Sequence, residues 1–345
     1  MMISRTLLAT VWLVAAFVIT LVLVRRAIGY AHRRGMLDQP GQRRSHSIPT
    51  PRGGGIGIVI ALLLCLPGVL LSLPAAWPAS VVIGVDTAFA IVAVVGWWDD
   101  HRSLPVLPRF GAQLLAVLVF SLTLLATGLS LWWLPLLLAA GAWSINLHNF
   151  MDGIDGLLAQ QTIFVAVGLA LMSWSLAQMA LAVGAAAMAA SALGFWIYNR
   201  PPARIFMGDV GSGSVGLLIF AFSAMLWRLD HALIWPLLIL SSAFLLDATL
   251  TLMMRMVKGR RWYSAHREHL YQWVTRRGGT HGRTDASYMA WNLLLAGPLT
   301  WLAFSHLNAA LPITIVFYVC AAALWLAFKR RCLQRNLSKD RHVVA

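Results

Sequence analysis

Of the 345 residues, 59% are apolar and only 11% charged, a balance that excludes an ordinary water-soluble enzyme and puts the chain in the membrane class. A net charge of +15 would suggest nucleic acid in a soluble protein, but here the cations flank apolar runs, which argues for topology signals and against a nucleic-acid partner. Cys65, Cys320 and Cys332 are isolated, so neither a disulfide framework nor a thiolate metal site is indicated.

An apolar run of ~20 residues crosses a hydrocarbon layer of ~30 Å, and the chain holds about eleven such runs. They lie near residues 6–24, 54–73, 79–97, 110–128, 129–147, 158–177, 178–198, 212–228, 232–254, 287–306 and 309–328. The expected fold class is all-α, a polytopic membrane protein of about 11 transmembrane helices forming one integral membrane domain over residues 1–345. The first run is a span and not a signal peptide, because no small-residue cleavage site follows it and Arg25 and Arg26 lie on its far side. Arg25 to Arg52, Arg102, Arg109, Arg200, Arg204, Arg255 to Arg283 and the tail from Lys329 then fall on one side, leaving Arg5 and Arg228 on the other. The positive-inside bias places the N-terminus in the periplasm and the C-terminus in the cytoplasm. The working parts are therefore loops and helix ends at the cytoplasmic face, about 31–53, 98–109, 146–157, 199–212 and 255–286.

Only twelve acidic residues are present, and several recur in compact groups on the cationic side. Asp99 and Asp100 end the third run, where adjacent carboxylates at a membrane interface need a cation, a proton or a partner. A cap on a helix end is the plainer alternative. The segment Asn146-Leu147-His148-Asn149-Phe150-Met151-Asp152-Gly153-Ile154-Asp155-Gly156-Leu157 joins the fifth and sixth runs. Its polar residues recur at helical spacing, on one side of a helix, and Gly153 and Gly156 permit a break and close backbone approach to a ligand. A cluster that merely packs helices together is the alternative here.

Phe206-Met207-Gly208-Asp209-Val210-Gly211-Ser212 opens the eighth run; glycines before a helix expose its first N–H groups to phosphate, and Asp209 could hold a divalent cation against that phosphate. The longest internal loop carries His266-Arg267-Glu268-His269-Leu270-Tyr271-Gln272, then Arg276, Arg277 and His281, a set suited to an anionic phosphate or pyrophosphate. Carboxylates, an amide-rich turn, a glycine turn and a cationic loop specify phosphoryl transfer better than any other reaction class. Oxygen ligands without paired cysteines favour Mg²⁺ or Mn²⁺ over zinc. A site where membrane meets cytosol implies one soluble activated phosphate and one lipid substrate. A secondary transporter would set its carboxylates near the midplane and often shows two related halves, whereas these cluster at one face without an internal repeat.

The order of these segments resembles the polyprenyl-phosphate N-acetylhexosamine-1-phosphate transferases, the family that includes the phospho-N-acetylmuramoyl-pentapeptide transferases. The resemblance covers nearly the whole chain: Asp38 through Arg43-Arg44-Ser45-His46 to Pro49-Thr50-Pro51-Arg52-Gly53-Gly54, then Asp99-Asp100, Asn146 to Leu157, Met207 to Ser212 and the His266 loop. It implies transfer of an N-acetylhexosamine 1-phosphate from a UDP-N-acetylhexosamine to undecaprenyl phosphate at the bacterial inner membrane, with release of UMP; it also allows a homodimer. By carry-over, Asp209 and Asn149 hold Mg²⁺, Asp99 and Asp100 engage or deprotonate the lipid phosphate, and Asp152 and Asp155 lie in the nucleotide and catalytic region. His46, Arg109, Asn146, His266, Arg267 and His269 are the expected substrate-binding residues. The chain departs from many relatives in the last loop, where His266-Arg267-Glu268-His269 precedes Tyr271-Gln272 in place of a histidine run. That departure argues against a muramoyl-pentapeptide donor and is similar to the branch that starts O-antigen repeats with N-acetylglucosamine, N-acetylfucosamine or N-acetylquinovosamine phosphate.

Overall fold

A helix satisfies every backbone N–H and C=O within its own segment, which is why apolar runs bound for lipid fold as helices. The computed structural model describes residues 2–39, 49–260, 266–277 and 279–343. Its helices are α1 (Met2–Arg34), α2 (Ile56–Ser72), α3 (Ala79–His101), α4 (Val106–Leu125), α5 (Leu134–Met151), α6 (Leu157–Ser175), α7 (Met179–Asn199), α8 (Asp209–Leu229), α9 (Ile234–Leu240), α10 (Ser242–Val257), α11 (Leu270–Arg276), α12 (His281–Trp291), α13 (Gly297–Ser305) and α14 (Leu307–Val343). The one departure from all-α structure among the described residues is a short antiparallel ladder pairing Leu37–Asp38 with Thr50–Pro51.

Every apolar run read from the sequence is helical, but not every run is a single crossing helix. Seven helices are long and apolar enough to cross a membrane, and the pair His231–Leu240 and Ser242–Val257, bent by 81°, would make eight. The expected straight span 232–254 is broken at Ser241, whose backbone relaxes to φ −89°, ψ 3°, while the neighbouring Ser242 hydroxyl accepts from Trp291 Nε1 at 3.1 Å. Run 54–73 shortens to the 17 residues of α2. In α5, apolarity gives way to Asn146, His148 and Asn149, and run 287–306 is divided by a π-turn at Asn292–Ala296.

The chain packs as two compact units, one reaching His231 and one starting at Ala232. In the first, α8 is central and is sheathed by α3, α5, α6 and α2, while α7 packs against α6, α1 and α2. The α3–α8 approach is close enough that a Cβ at Gly96 would meet the main chain of Asp209. At the α1–α7 contact Thr20 and Ser191 share a hydrogen bond at 2.6 Å, a polar tie of the kind used between apolar helices. Val11, Val14, Val18 and Val22 form an exposed stripe on α1 at helical spacing, as a lipid-facing side requires. In the second unit α13 packs on α9 and α14 around Ile239, Leu246, Phe317 and Trp325. Thr314 and Tyr318 of α14 donate to the carbonyls of Trp235 and Leu238, at 3.3 and 2.8 Å.

Candidate active site

Two carboxylates at the C-terminal end of α3 sit at the negative pole of the helix dipole and therefore need donors. They find different ones. Asp100, 3% exposed, accepts from the main-chain N–H of Asp209 (3.0 Å, to Oδ1) and of Val210 (3.1 Å, to Oδ2), the first amides of α8. Arg52 Nη2 donates to its carbonyl at 2.6 Å. Gly208 makes this cap possible: its φ is +76°, and a Cβ there would lie 2.6 Å from Asp100 Oδ2. Asp100 thus spends its carboxylate on fixing where α8 begins.

Asp99 turns elsewhere. Its Oδ1 accepts from Leu104 N–H and its Oδ2 from Arg109 Nη1, each at 2.6 Å. The same guanidinium nitrogen lies 3.7 Å from Asp209 Oδ2, and Asp209 Oδ1 accepts a short hydrogen bond from Asn149 Nδ2, which also donates to Ser212 Oγ at 3.0 Å. The carboxyls of Asp99 and Asp209 lie within hydrogen-bonding reach of each other. One arginine therefore serves two carboxylates, and the remaining negative charge calls for a proton or a cation. The Arg109 and Asp209 side chains, 30% and 32% exposed, face a cleft with Asn149 whose other walls are Val92, Val95, Gly96, Gln113 and Gly213. Among the described residues no three His, Cys, Asp or Glu side chains are grouped to hold a metal ion, so any cation here would take part of its coordination from an amide, water or substrate oxygen.

Asn146, one turn before Asn149, donates to Gln113 Oε1 at 2.9 Å and to the carbonyl of Ala142 at 2.8 Å, which sets it beside the cleft wall. Between α5 and α6, burial and, after it, the charges of Asp209, Asp100 and Asp155 push the Asp152 carboxyl up to about 8. Asp155 is buried and accepts from Ala203 N–H at 3.0 Å, while Asn199 accepts from Gly156 N–H at 3.0 Å and donates to the Ile205 carbonyl at 2.9 Å. These contacts stitch the 152–156 turn to the 200–206 loop. The structure thus brings Arg109, Asn149 and Asp209 to one cleft, with Asp99 buried behind it and bonded to Arg109, and Asn146 beside it; Asp100 and Asp155 hold backbone.

In the second unit the His266 and His269 rings lie 4.9 Å apart, and His269 stacks on Tyr271 at 5.9 Å. Burial holds both imidazoles below their usual range, His266 at about 4, so at neutral pH the segment draws its positive charge from arginine. Arg267 offers its carbonyl to Arg276. Glu268 pairs with Arg255 and, at 3.0 Å, with Arg260, and these cations keep its carboxyl below the usual range although burial opposes them. Its carbonyl takes Lys329 Nζ. His46, the remaining expected binding residue, lies outside the described residues. Sequence reasoning missed Asp247 and Gln113. Asp247, 1% exposed, accepts from the N–H of Leu270 at 2.8 Å; an acid inside the otherwise apolar run 232–254 was the available signal. Gln113 stands one helical turn after Arg109, a spacing that puts both on one face of α4.

The sequence model of glycosyl transferase family 4 matches residues 82–227. A decaprenyl-phosphate N-acetylglucosaminephosphotransferase of Mycobacterium tuberculosis is 28% identical, over 87% of this chain and 84% of its own. A phospho-N-acetylmuramoyl-pentapeptide-transferase of Moorella thermoacetica is 31% identical, over 72% of this chain and 83% of its own. A protein of Bacillus subtilis named "Probable undecaprenyl-phosphate N-acetylglucosaminyl 1-phosphate transferase" is 28% identical, over 78% and 76%.

Proposed function

We propose, from the premise that the chain belongs to glycosyl transferase family 4, the polyprenyl-phosphate sugar-1-phosphate transferases, that it moves an N-acetylhexosamine 1-phosphate from a UDP-sugar to undecaprenyl phosphate. The observation that carries this reading is the meeting of Arg109, Asn149 and Asp209 at one cleft, with Asp99 bonded to Arg109 behind it, all within the stretch that the family model matches.

Asp209 and Asn149 offer hard oxygen donors beside Asp99, a set that fits Mg²⁺, or Mn²⁺ in its place, better than zinc. An ion bound there would neutralise charge on the donor pyrophosphate. Asp99, steered by Arg109, is the member of the α3 pair that faces the reacting phosphates and accepts the proton of the lipid phosphate. Asp100 sets the frame of Asp209 by capping α8. An oxygen of the lipid phosphate attacks the sugar-linked phosphorus, the bond from that phosphorus to the bridging oxygen breaks, and UMP leaves carrying that oxygen. Direct attack suffices, because positioning and charge stabilisation carry phosphoryl transfer without a covalent enzyme intermediate.

His266, Arg267 and His269 contact the sugar or phosphate of the donor, and the absence of a histidine run there favours N-acetylglucosamine or a 6-deoxy relative as the sugar that begins an O-antigen or related repeat. The charge bias supports an orientation with the N-terminus in the periplasm and the catalytic loops facing the cytoplasm of the inner membrane. The test is UMP release by the purified protein with undecaprenyl phosphate, Mg²⁺ and a panel of UDP-N-acetylhexosamines. One donor should be consumed in preference to the rest, and absence of UMP with every donor would overturn the reading.

A further inference from the structure

The second unit contains a polar centre that the reaction does not use. Asp247, on α10 in the middle of an apolar bundle, accepts five hydrogen bonds. Three reach Oδ1, from Leu270 N–H at 2.8 Å, Trp325 Nε1 at 3.1 Å and Thr251 Oγ1 at 3.3 Å. Two reach Oδ2, from the Tyr288 hydroxyl at 2.8 Å and Tyr271 N–H at 3.4 Å. A buried carboxylate is costly unless its lone pairs are met in this way. Two of the five donors are main-chain amides immediately after His269, and the others come from α10, α12 and α14. The backbone of the His266–Tyr271 segment is thus tied to the bundle at one end by Asp247 and at the Glu268 carbonyl by Lys329, while Arg255 holds the Glu268 side chain.

We propose that Asp247 is a positioning residue for donor binding: it fixes the backbone from which His266, Arg267 and His269 are presented, and touches no substrate itself. The proposal rests on the reading of that segment as the donor-binding loop. An amide at this position keeps one accepting oxygen, and its NH₂ group then faces donors that it cannot accept, so Asp247→Asn frees the segment without emptying the space. Tyr288→Phe removes a single donor and leaves the carboxylate in place.

The test combines amide hydrogen exchange on the purified full chain with steady-state kinetics. Loss of a charge-assisted bond commonly costs about tenfold, so in Asp247→Asn exchange across residues 266–277 should rise ~10-fold, with Ile234–Leu240 unchanged. The KM for the UDP-sugar should rise ~10-fold while kcat and the KM for undecaprenyl phosphate stay within about twofold, and Tyr288→Phe should shift both readouts the same way by less. Unchanged exchange in Asp247→Asn overturns the proposal. So does an unchanged donor KM in a protein whose Arg267→Ala variant raises it. If His266→Ala and Arg267→Ala both leave the donor KM unchanged, the donor-loop reading falls, and the exchange data alone decide whether Asp247 holds the segment. Should Asp247→Asn fail to fold, Tyr288→Phe decides by the same two readouts.

Discussion

Exchanging each member of the α3 carboxylate pair for its amide should separate two kinds of loss. Asp100→Asn keeps one acceptor for the two α8 amides that now bond at 3.0 and 3.1 Å, and turns an NH₂ group toward the other. Losing one charge-assisted bond to a capped helix costs about 2 kcal/mol, which for a unit of this size lowers Tm by ~4–8 °C. Because Asp209 is the first residue of α8, a displacement of about 1 Å there should also cost turnover ~10²-fold. Asp99→Asn differs: its amide oxygen can still accept from Leu104 N–H, and Arg109 is left to Asp209, so stability should fall by less than in Asp100→Asn. Turnover should nevertheless fall ~10²-fold or more as the proton acceptor is lost. The assay is a thermal scan in detergent alongside UMP release for both variants. The reasoning is refuted if Asp100→Asn keeps the parental Tm, or if Asp99→Asn loses activity only in step with a lost fold.

Three further outcomes follow from the same geometry. Asp209→Asn should retain less than about a tenth of turnover at saturating Mg²⁺, and chelation of the parent should abolish a rate that Mg²⁺ or Mn²⁺ restores; a chelator-insensitive rate would remove the cation from the scheme. Asp152, raised to about 8, favours its protonated form in the folded protein, so its contribution to stability is full below its unfolded value and disappears as pH rises toward 8. In chelator, Asp152→Asn should therefore gain Tm relative to the parent between about pH 4 and 8, and a pH-independent difference would contradict the assignment. With His266 held near 4 and neutral, His266→Ala should leave the pH dependence of the donor KM from about pH 6 to 8 as in the parent while reordering the UDP-sugars, and Arg267→Gln should raise that KM ~10-fold.

Apolar runs of spanning length were legible because lipid imposes one period and one secondary structure; all of them are helical, though α2, α5 and α12–α13 fall short of a single crossing helix. Compact groups of rare polar residues, far apart in the chain, do come together in space: Asp99, Arg109, Asn149 and Asp209 meet. Adjacent positions in sequence did not tell the work of Asp99 from that of Asp100, because the deciding partners, Arg109 and the α8 amides, are long-range. The partners of Glu268 were equally illegible, since Arg255 and Arg260 reach it only through the fold. Asp247 went unnoticed because a single acid in an apolar run shows its worth only once five donors from distant segments converge on it.

The sheathing of α8 has a consequence for biogenesis. Within its apolar window 94% of α8 is covered by protein, against 17% for α1. During synthesis α8 must nonetheless enter the bilayer on its own apolarity, and only later exchange lipid for helix contacts, as the two-stage view of membrane assembly requires. Its sequence has therefore been fitted to two solvents in succession: enough leucine, isoleucine and phenylalanine to insert, and enough glycine and serine near its start to be enclosed. A polar substitution halfway along α8 would be penalised at both stages, at insertion and again at enclosure, whereas the same change on the valine stripe of α1 would be felt by lipid alone.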